Sequence, residues 1–443
     1  MRDLTKGNIY KTFIIFAIPL VFSGLLSTAF NVINGIIAGK LLGEQGMAAT
    51  GSTSALITFV SAICWGYTGG LAIYIAMLFG AGKYERLKST LVTNTLLQVI
   101  VMFIICVLFV VFKNRVFDFL SIDTAVRKDA GIYFGIYMAG LVLILMNNHG
   151  LSILNAFGMS KYPFYMAILA AVIHISGTFI CIKLLGMGVE GLAVSALTGA
   201  GVVDICYFFK IKKCFKEMGD TGKIKLDMST VKRTVSFAIP VTFQQMIMYL
   251  SSFLISPMIN AIGSQATVAY SVALKIYDVN AGVYQNSSKT LSNYAAQSVG
   301  AEQYSNLKKG VRVGFLQGLV FIAPFLIVSA VFAEPVCRMF FPKGAASEAL
   351  TMAVTFVQLF LPLVIFNMVN NLFHSFFRGV KAMGNLVFLT AFGSASKLVL
   401  TLLLIPEMGM NGVWMGWVLS WITEAVAAVI IYRFGTWRKK YNL

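Results

Sequence analysis

Charge is what this sequence has least of. Only 12% of its 443 residues are Asp, Glu, Lys or Arg, about half the roughly 25% that a water-facing globular surface carries. A soluble enzyme is excluded on that ground. The 3 His and 6 Cys show no CxxC and no metal-ligand spacing, so no metal site is expected. Four of the cysteines lie in apolar runs and read as small packing residues. There is no phosphate loop, no HExxH and no Gly-x-Ser-x-Gly elbow, so no enzymatic role, nucleotide hydrolysis or organic cofactor is expected. A cleavable leader is not expected either, because the first apolar run is too long and lacks a small-residue cleavage site.

What the chain has instead is apolar length. Hydrophobic residues make up 58%, with 36 Phe and 21 Met, which excludes disorder. At roughly 35 residues per span and connection, 443 residues hold about twelve spans. They are placed at 11–38, 47–79, 89–112, 130–155, 162–185, 188–210, 232–260, 265–297, 310–333, 347–373, 383–405 and 410–434. The net charge of +18 resembles a nucleic-acid signal until it is mapped onto those spans. Of 35 Lys and Arg, 24 fall on the N-terminal side and 8 on the other, while Lys275, Lys289 and Lys397 lie inside spans. That bias puts both termini in the cytoplasm. The partner is the lipid bilayer and not a nucleic acid.

The two halves repeat. FAIP occurs at Phe16–Pro19 and Phe237–Pro240, and Gly43–Lys88 aligns without gaps to Gly263–Lys308, with eleven identities in 46 pairs. Asn147-Asn148 matches Asn370-Asn371, and MGVEG at Met187 parallels MGMNG at Met408. The polar stretch from Lys210 to Arg233, about the junction of the sixth and seventh spans, holds eight basic residues. The chain therefore divides into an N-terminal six-helix lobe (1–210), a cytoplasmic linker (211–231) and a C-terminal six-helix lobe (232–443). Six is even, so the repeat is parallel, an architecture of alternating-access transporters with substrate between the halves. The fold class is an all-α polytopic membrane protein, twelve helices in two pseudo-symmetric lobes with a central cleft.

Polar residues in hydrocarbon are costly, about 2.5–3.5 kcal/mol for a charge at mid-span, and where they align they mark a wet cavity or helix-packing glue. Four spans show such stripes: Ser23, Ser27, Asn31 and Asn34 in the first; Gln244, Gln245, Tyr249, Ser252 and Ser256 in the seventh. The eighth has Lys275, Asp278, Gln285 or Asn286, Lys289 and Asn293; the tenth has Asn367, Asn370 or Asn371, His374 and Arg378. Lys275 and Asp278, at i and i+3, can neutralise one another. Asp204 and Glu424 read as snorkelling or helix-packing partners, and Trp414, Trp417 and Trp421 as one lipid- or core-facing stripe. His174 is mid-span, either a packing residue or a proton carrier. Pro19 and Pro240, at matching depth, read as gating bends or ordinary kinks.

These segments resemble the multidrug and toxic compound extrusion (MATE) family. The resemblance rests on DLTKGNIYKTFIIFAIPL, NVINGIIAGKLLG, LFGAGKYERLK, LGMGVEG, AIPVTFQQ, NAIGSQATVAYSVALKI, SVGAEQYSNLKKG, SFFRG and YRFGTWRKK, in order along nearly the whole chain. It implies a V-shaped cleft and export of amphipathic compounds driven by Na⁺ or H⁺. The family's N-x-x-D is here Asn31-Val-Ile-Asn34, and its N-x-x-x-D is here His174-Ile-Ser-Gly-Thr178, so both carboxylates of the N-lobe cation site are gone. Hard cations prefer anionic oxygens, which favours H⁺ over Na⁺ as the coupling ion, with Asp278, Lys275 and His174 as titratable groups. A cleft so poor in acids binds organic cations weakly, and a neutral, zwitterionic or anionic substrate fits it. The reading is a monomeric secondary exporter of small amphipathic compounds. The alternatives are a lipid-linked sugar flippase, or a membrane sensor or scaffold that has lost the ion site.

Overall fold

The computed structural model describes residues 1–119, 122, 124–219, 226–341 and 348–442. Within its helices it describes every side chain except those of 31–36, 38–39, 44–45, 47–48, 54–55, 119, 125 and 253. The chain is helical throughout: Ile9–Gly80, Tyr84–Val111, Thr124–Ala156, Lys161–Phe179, Val189–Glu217, Ser229–Ile262, Ser264–Gly300, Asn306–Val331, Val364–Gly379, Met383–Met408 and Met410–Phe434. Among the described residues 11 stretches are long and apolar enough to cross a membrane. The remaining expected span, Ser264–Gly300, has the length at 37 residues but carries the polar stripe of the eighth span, which lowers its hydropathy. The fold is that of an all-α polytopic membrane protein with twelve spans in two six-helix lobes.

The first two spans form one helical run interrupted at Gly43, whose φ of +69° is a conformation that residues with a Cβ disfavour. Gly263, its repeat partner, stands before Ser264–Gly300 at φ +140°. The shared glycine of the two halves is thus a shared turn. Two short helices were not expected from the sequence, Lys113–Phe119 and Ala333–Arg338; they occupy matching places in the repeat. The tenth span is also not one helix. Glu348–Thr355 passes through a π turn, Phe356–Phe360, and a 3₁₀ turn, Leu361–Leu363, before Val364–Gly379 begins. Pro362, which has no N–H to give, sits in that break.

Packing divides the chain into two compact units, one of Met1–Asp3 with Leu26–Thr242, the other of Leu4–Leu25 with Phe243–Leu443. In the first unit the start of the Ser229–Ile262 helix is held by the second and third spans. The Asp227 N–H donates to Thr93 Oγ1 at 3.0 Å and Asn94 Nδ2 to Thr230 Oγ1 at 3.4 Å. Tyr74 stacks on Phe237 at 5.3 Å, and Gly66 and Gly70 let Thr242 and Ala238 approach where a Cβ would collide. In the second unit the start of the Ile9–Gly80 helix is held in the corresponding way. Tyr294, the repeat partner of Tyr74, meets Phe13 edge-on at 5.0 Å, the Leu4 N–H donates to Gln297 Oε1 at 2.8 Å, and Asn286 lies against Gly24. Each unit therefore takes the first part of a proline-bearing helix from the opposite half of the sequence. Both helices run on through Pro19 and Pro240.

Candidate functional site

The second unit carries a polar column built from four helices. Between Ser287 and Ser298 every residue is buried except Lys289, which is exposed. Its ammonium donates to Asn286 Oδ1 at 2.7 Å. From Val364–Gly379, Arg378 Nη2 donates to Gln244 Oε1 at 2.8 Å, and Gln244 is itself buried. Arg378 Nε is buried with no hydrogen-bond partner. Among the described residues neither cation makes an ion pair. Amide oxygens alone hold them.

Above these cations lies an amide–tyrosine cluster. Asn367 Nδ2 donates to Tyr277 Oη at 2.8 Å and to Tyr284 Oη at 3.0 Å, and the two hydroxyls are 3.1 Å apart. The Tyr277 ring stacks on Trp421 at 5.9 Å and meets Trp417 edge-on at 5.7 Å. Lys397 Nζ lies 4.0 Å over the Trp417 ring, a cation–π contact. The tryptophan stripe therefore faces the core, buried against Tyr270 and Phe356, and not lipid.

The third element is an acid–base pair. His374 Nε2 is 2.8 Å from Glu424 Oε1, both side chains being about nine-tenths buried. The distance is that of an ion pair when the imidazole is protonated, and the two atoms lack hydrogen-bond alignment. Asn370 Nδ2 donates to the other carboxylate oxygen, Oε2, at 3.2 Å and to the Trp421 carbonyl at 3.1 Å. Gly393 lies beneath the carboxylate, where any Cβ would strike it.

The structure brings together Gln244, Lys289, Asn367, Asn370 and His374 in this unit, with Asn371 bonded back to the Asn367 carbonyl at 3.1 Å. Gln245 and Gln285 are half-buried nearby along the same helices. One expectation needs correction: Lys275 and Asp278 do not pair. Both are exposed, and the Lys275 ammonium lies instead 5.4 Å over the Phe340 ring, a cation–π contact taken in place of the i, i+3 pairing. His174 and Thr178 belong to the first unit, His174 buried edge-on to Phe30 at 4.9 Å and Thr178 Oγ1 2.8 Å from Ser195 Oγ. The side chains of Asn31 and Asn34 lie outside the described residues. The sequence did not single out Tyr277 and Tyr284, and it read Glu424 as a snorkelling or helix-packing partner, of which the structure shows the second. Glu424 continues the face of Trp414, Trp417 and Trp421 at helical spacing, and the tyrosines stand seven residues apart; both signals were available.

The MatE family profile matches residues 19–180 and 240–403, most of the chain and both halves of the repeat. The chain belongs to the MATE family. It is similar to the probable multidrug resistance protein YoeA of Bacillus subtilis, 23% identical over 346 residues, covering 76% of this chain and 74% of that one. It is also similar to a protein of Shewanella oneidensis named an FAD transporter, 23% identical over 354 residues and 77% of each chain. In structure it superposes on a Vibrio cholerae MATE transporter, VcmN, with a TM-score of 0.91 at 18% identity, covering 98% of each chain. This MATE chain is a multi-pass membrane transporter of the multidrug-efflux type.

Proposed function

We propose that this MATE transporter exports small amphipathic organic anions by alternating access, as a proton-coupled monomer of the plasma membrane with cytoplasmic termini and no enzymatic activity. The observation that carries the reading is the pair Lys289 and Arg378, two cations held by amides alone. A charge inside a span costs about 2.5–3.5 kcal/mol to insert, and among the described residues no acid pairs with either cation to offset that cost. A substrate carboxylate or phosphate supplies the missing charge, with Arg378 able to offer its buried Nε. The relative named for FAD supports this, since FAD joins aromatic rings to phosphates.

Coupling is assigned to His374 and Glu424. Protonation of Glu424 cancels the ion pair across two helices, which loosens the contact between Val364–Gly379 and Met410–Phe434; reloading restores it. Na⁺ is disfavoured because, among the described residues, Glu424 alone brings a carboxylate to His374 and Asn370. The test is uptake into proteoliposomes of an anionic carboxyfluorescein-type dye and of an organic cation, each under an imposed pH gradient or Na⁺ gradient. The anion should move under the pH gradient. Lys289→Gln and Arg378→Gln should each slow it about tenfold or more, the loss of a charge-assisted bond, and Glu424→Gln should abolish the gradient response. Cation movement insensitive to Lys289→Gln would overturn the substrate assignment, and drive by Na⁺ alone the coupling assignment.

A further inference from the structure

A groove of about 610 Å³ lies on the second unit between three helices. Asn306–Val331 gives one wall at helical spacing with Lys308, Val311, Arg312 and Phe315; Val364–Gly379 and Met410–Phe434 give the others. Apart from Lys308 and Arg312 at one end and the Tyr432 hydroxyl, the lining is hydrocarbon. Val426 is 54% exposed and Phe366 36% exposed, so the groove opens sideways, toward where lipid chains run. Lys308 and Arg312 are both exposed, and among the described residues neither makes an ion pair. They sit at the end of the unit that also carries Lys309, Arg433, Arg438, Lys439 and Lys440, the side to which basic residues are biased along the whole chain.

We propose that this groove is a seat for one anionic phospholipid. Its phosphate lies between Lys308 and Arg312, and an acyl chain lies along Val311, Phe315, Phe366, Val369 and Val426. Charge complementarity selects the occupant. An apolar slot alone accepts any acyl chain, but two unpaired cations at the headgroup end favour a net negative lipid over a zwitterionic one, each basic residue adding severalfold at a membrane surface. The site is separate from the polar column: Phe373 and Ala425 face the groove, while their neighbours His374 and Glu424 pair on the far side of the same helices. A lipid seated there braces the two helices that carry the acid–base pair.

Native mass spectrometry of the full-length protein in detergent, mixed with equal phosphatidylglycerol and phosphatidylcholine, tests this. One phosphatidylglycerol should be retained roughly tenfold over phosphatidylcholine. Lys308→Gln with Arg312→Gln should remove that preference, while Lys308→Arg with Arg312→Lys, which keeps the charge, should preserve it. Val426→Trp, at an exposed position, should block both lipids by filling the slot. Retention of phosphatidylglycerol in the double Gln variant, equal retention of the two lipids by the unmodified protein, or displacement of the lipid by millimolar inorganic phosphate would each overturn the assignment.

Discussion

Asp204 and Glu424 are acids of similar depth that the fold treats differently. Both carboxylate oxygens of Asp204 are buried without a hydrogen-bond partner, whereas Glu424 has His374 at 2.8 Å and Asn370 at 3.2 Å. Truncating His374 to Ala strands the Glu424 charge, and removing one partner of a buried pair costs about 3–5 kcal/mol. His374→Ala is therefore expected to lower the thermal midpoint sharply, and adding Glu424→Gln to restore part of the loss, because no charge is then left unpaired. Strict additivity of the two substitutions in a double-mutant cycle would mean that the contact contributes nothing. Reading the sequence found His374, Asn370 and Lys289 because polar residues at helical spacing inside an apolar span stand out. The pairing of Glu424 is not legible there because its partners lie far away along the chain, and a stripe on one helix does not say which helix faces it. The tyrosines were passed over for a related reason, since an aromatic in a span reads as packing until its hydroxyl is seen bonded to Asn367.

At the scale of the helix, the repeat explains which small residues cannot grow. Gly70 abuts the backbone of Ala238, while Gly24, in the corresponding crossing of the other unit, meets the amide of Asn286. Backbone cannot swing away and a side-chain amide can, so the two positions should differ. Gly70→Ala is expected to cost about 1–3 kcal/mol, the range of overpacking in a filled core, and Gly24→Ala clearly less. Thermal unfolding of the purified variants decides it, and equal losses would mean that Asn286 is as rigid as the backbone. The existence of the helices is legible because apolar length marks them, but some of their ends are not: the helix ending at Glu217 runs past the expected 210, and the one ending at Gly379 past 373. The π and 3₁₀ break before Val364 is not legible either, although Pro362 stands in it: hydropathy is blind to backbone hydrogen bonding, and proline is tolerated within membrane helices when neighbours satisfy the freed groups.

For the whole molecule, the reciprocal placement of Leu4–Leu25 and of the start of the Ser229–Ile262 helix means that a half-chain lacks part of its own unit. In lipid the loss is not mainly hydrophobic, because acyl chains replace the apolar contacts. What cannot be replaced is close packing and polar pairing. A fragment of residues 1–219 exposes Gly66, Gly70 and Tyr74 where Thr242, Ala238 and Phe237 belong, and leaves Thr93 and Asn94 without Asp227 and Thr230. A fragment of residues 226–443 leaves Gln297 without the Leu4 N–H and Tyr294 without Phe13. Each buried polar contact in a membrane is worth about 1–2 kcal/mol at most, but several are lost together with the packing around them, against a total stability of only about 5–15 kcal/mol. Each fragment alone is therefore expected to be degraded or to aggregate on expression, and the two expressed together to copurify and resist protease like the intact chain. Recovery of either fragment alone in a protease-resistant monomeric form would show that a half folds without the helix segment it lends or borrows.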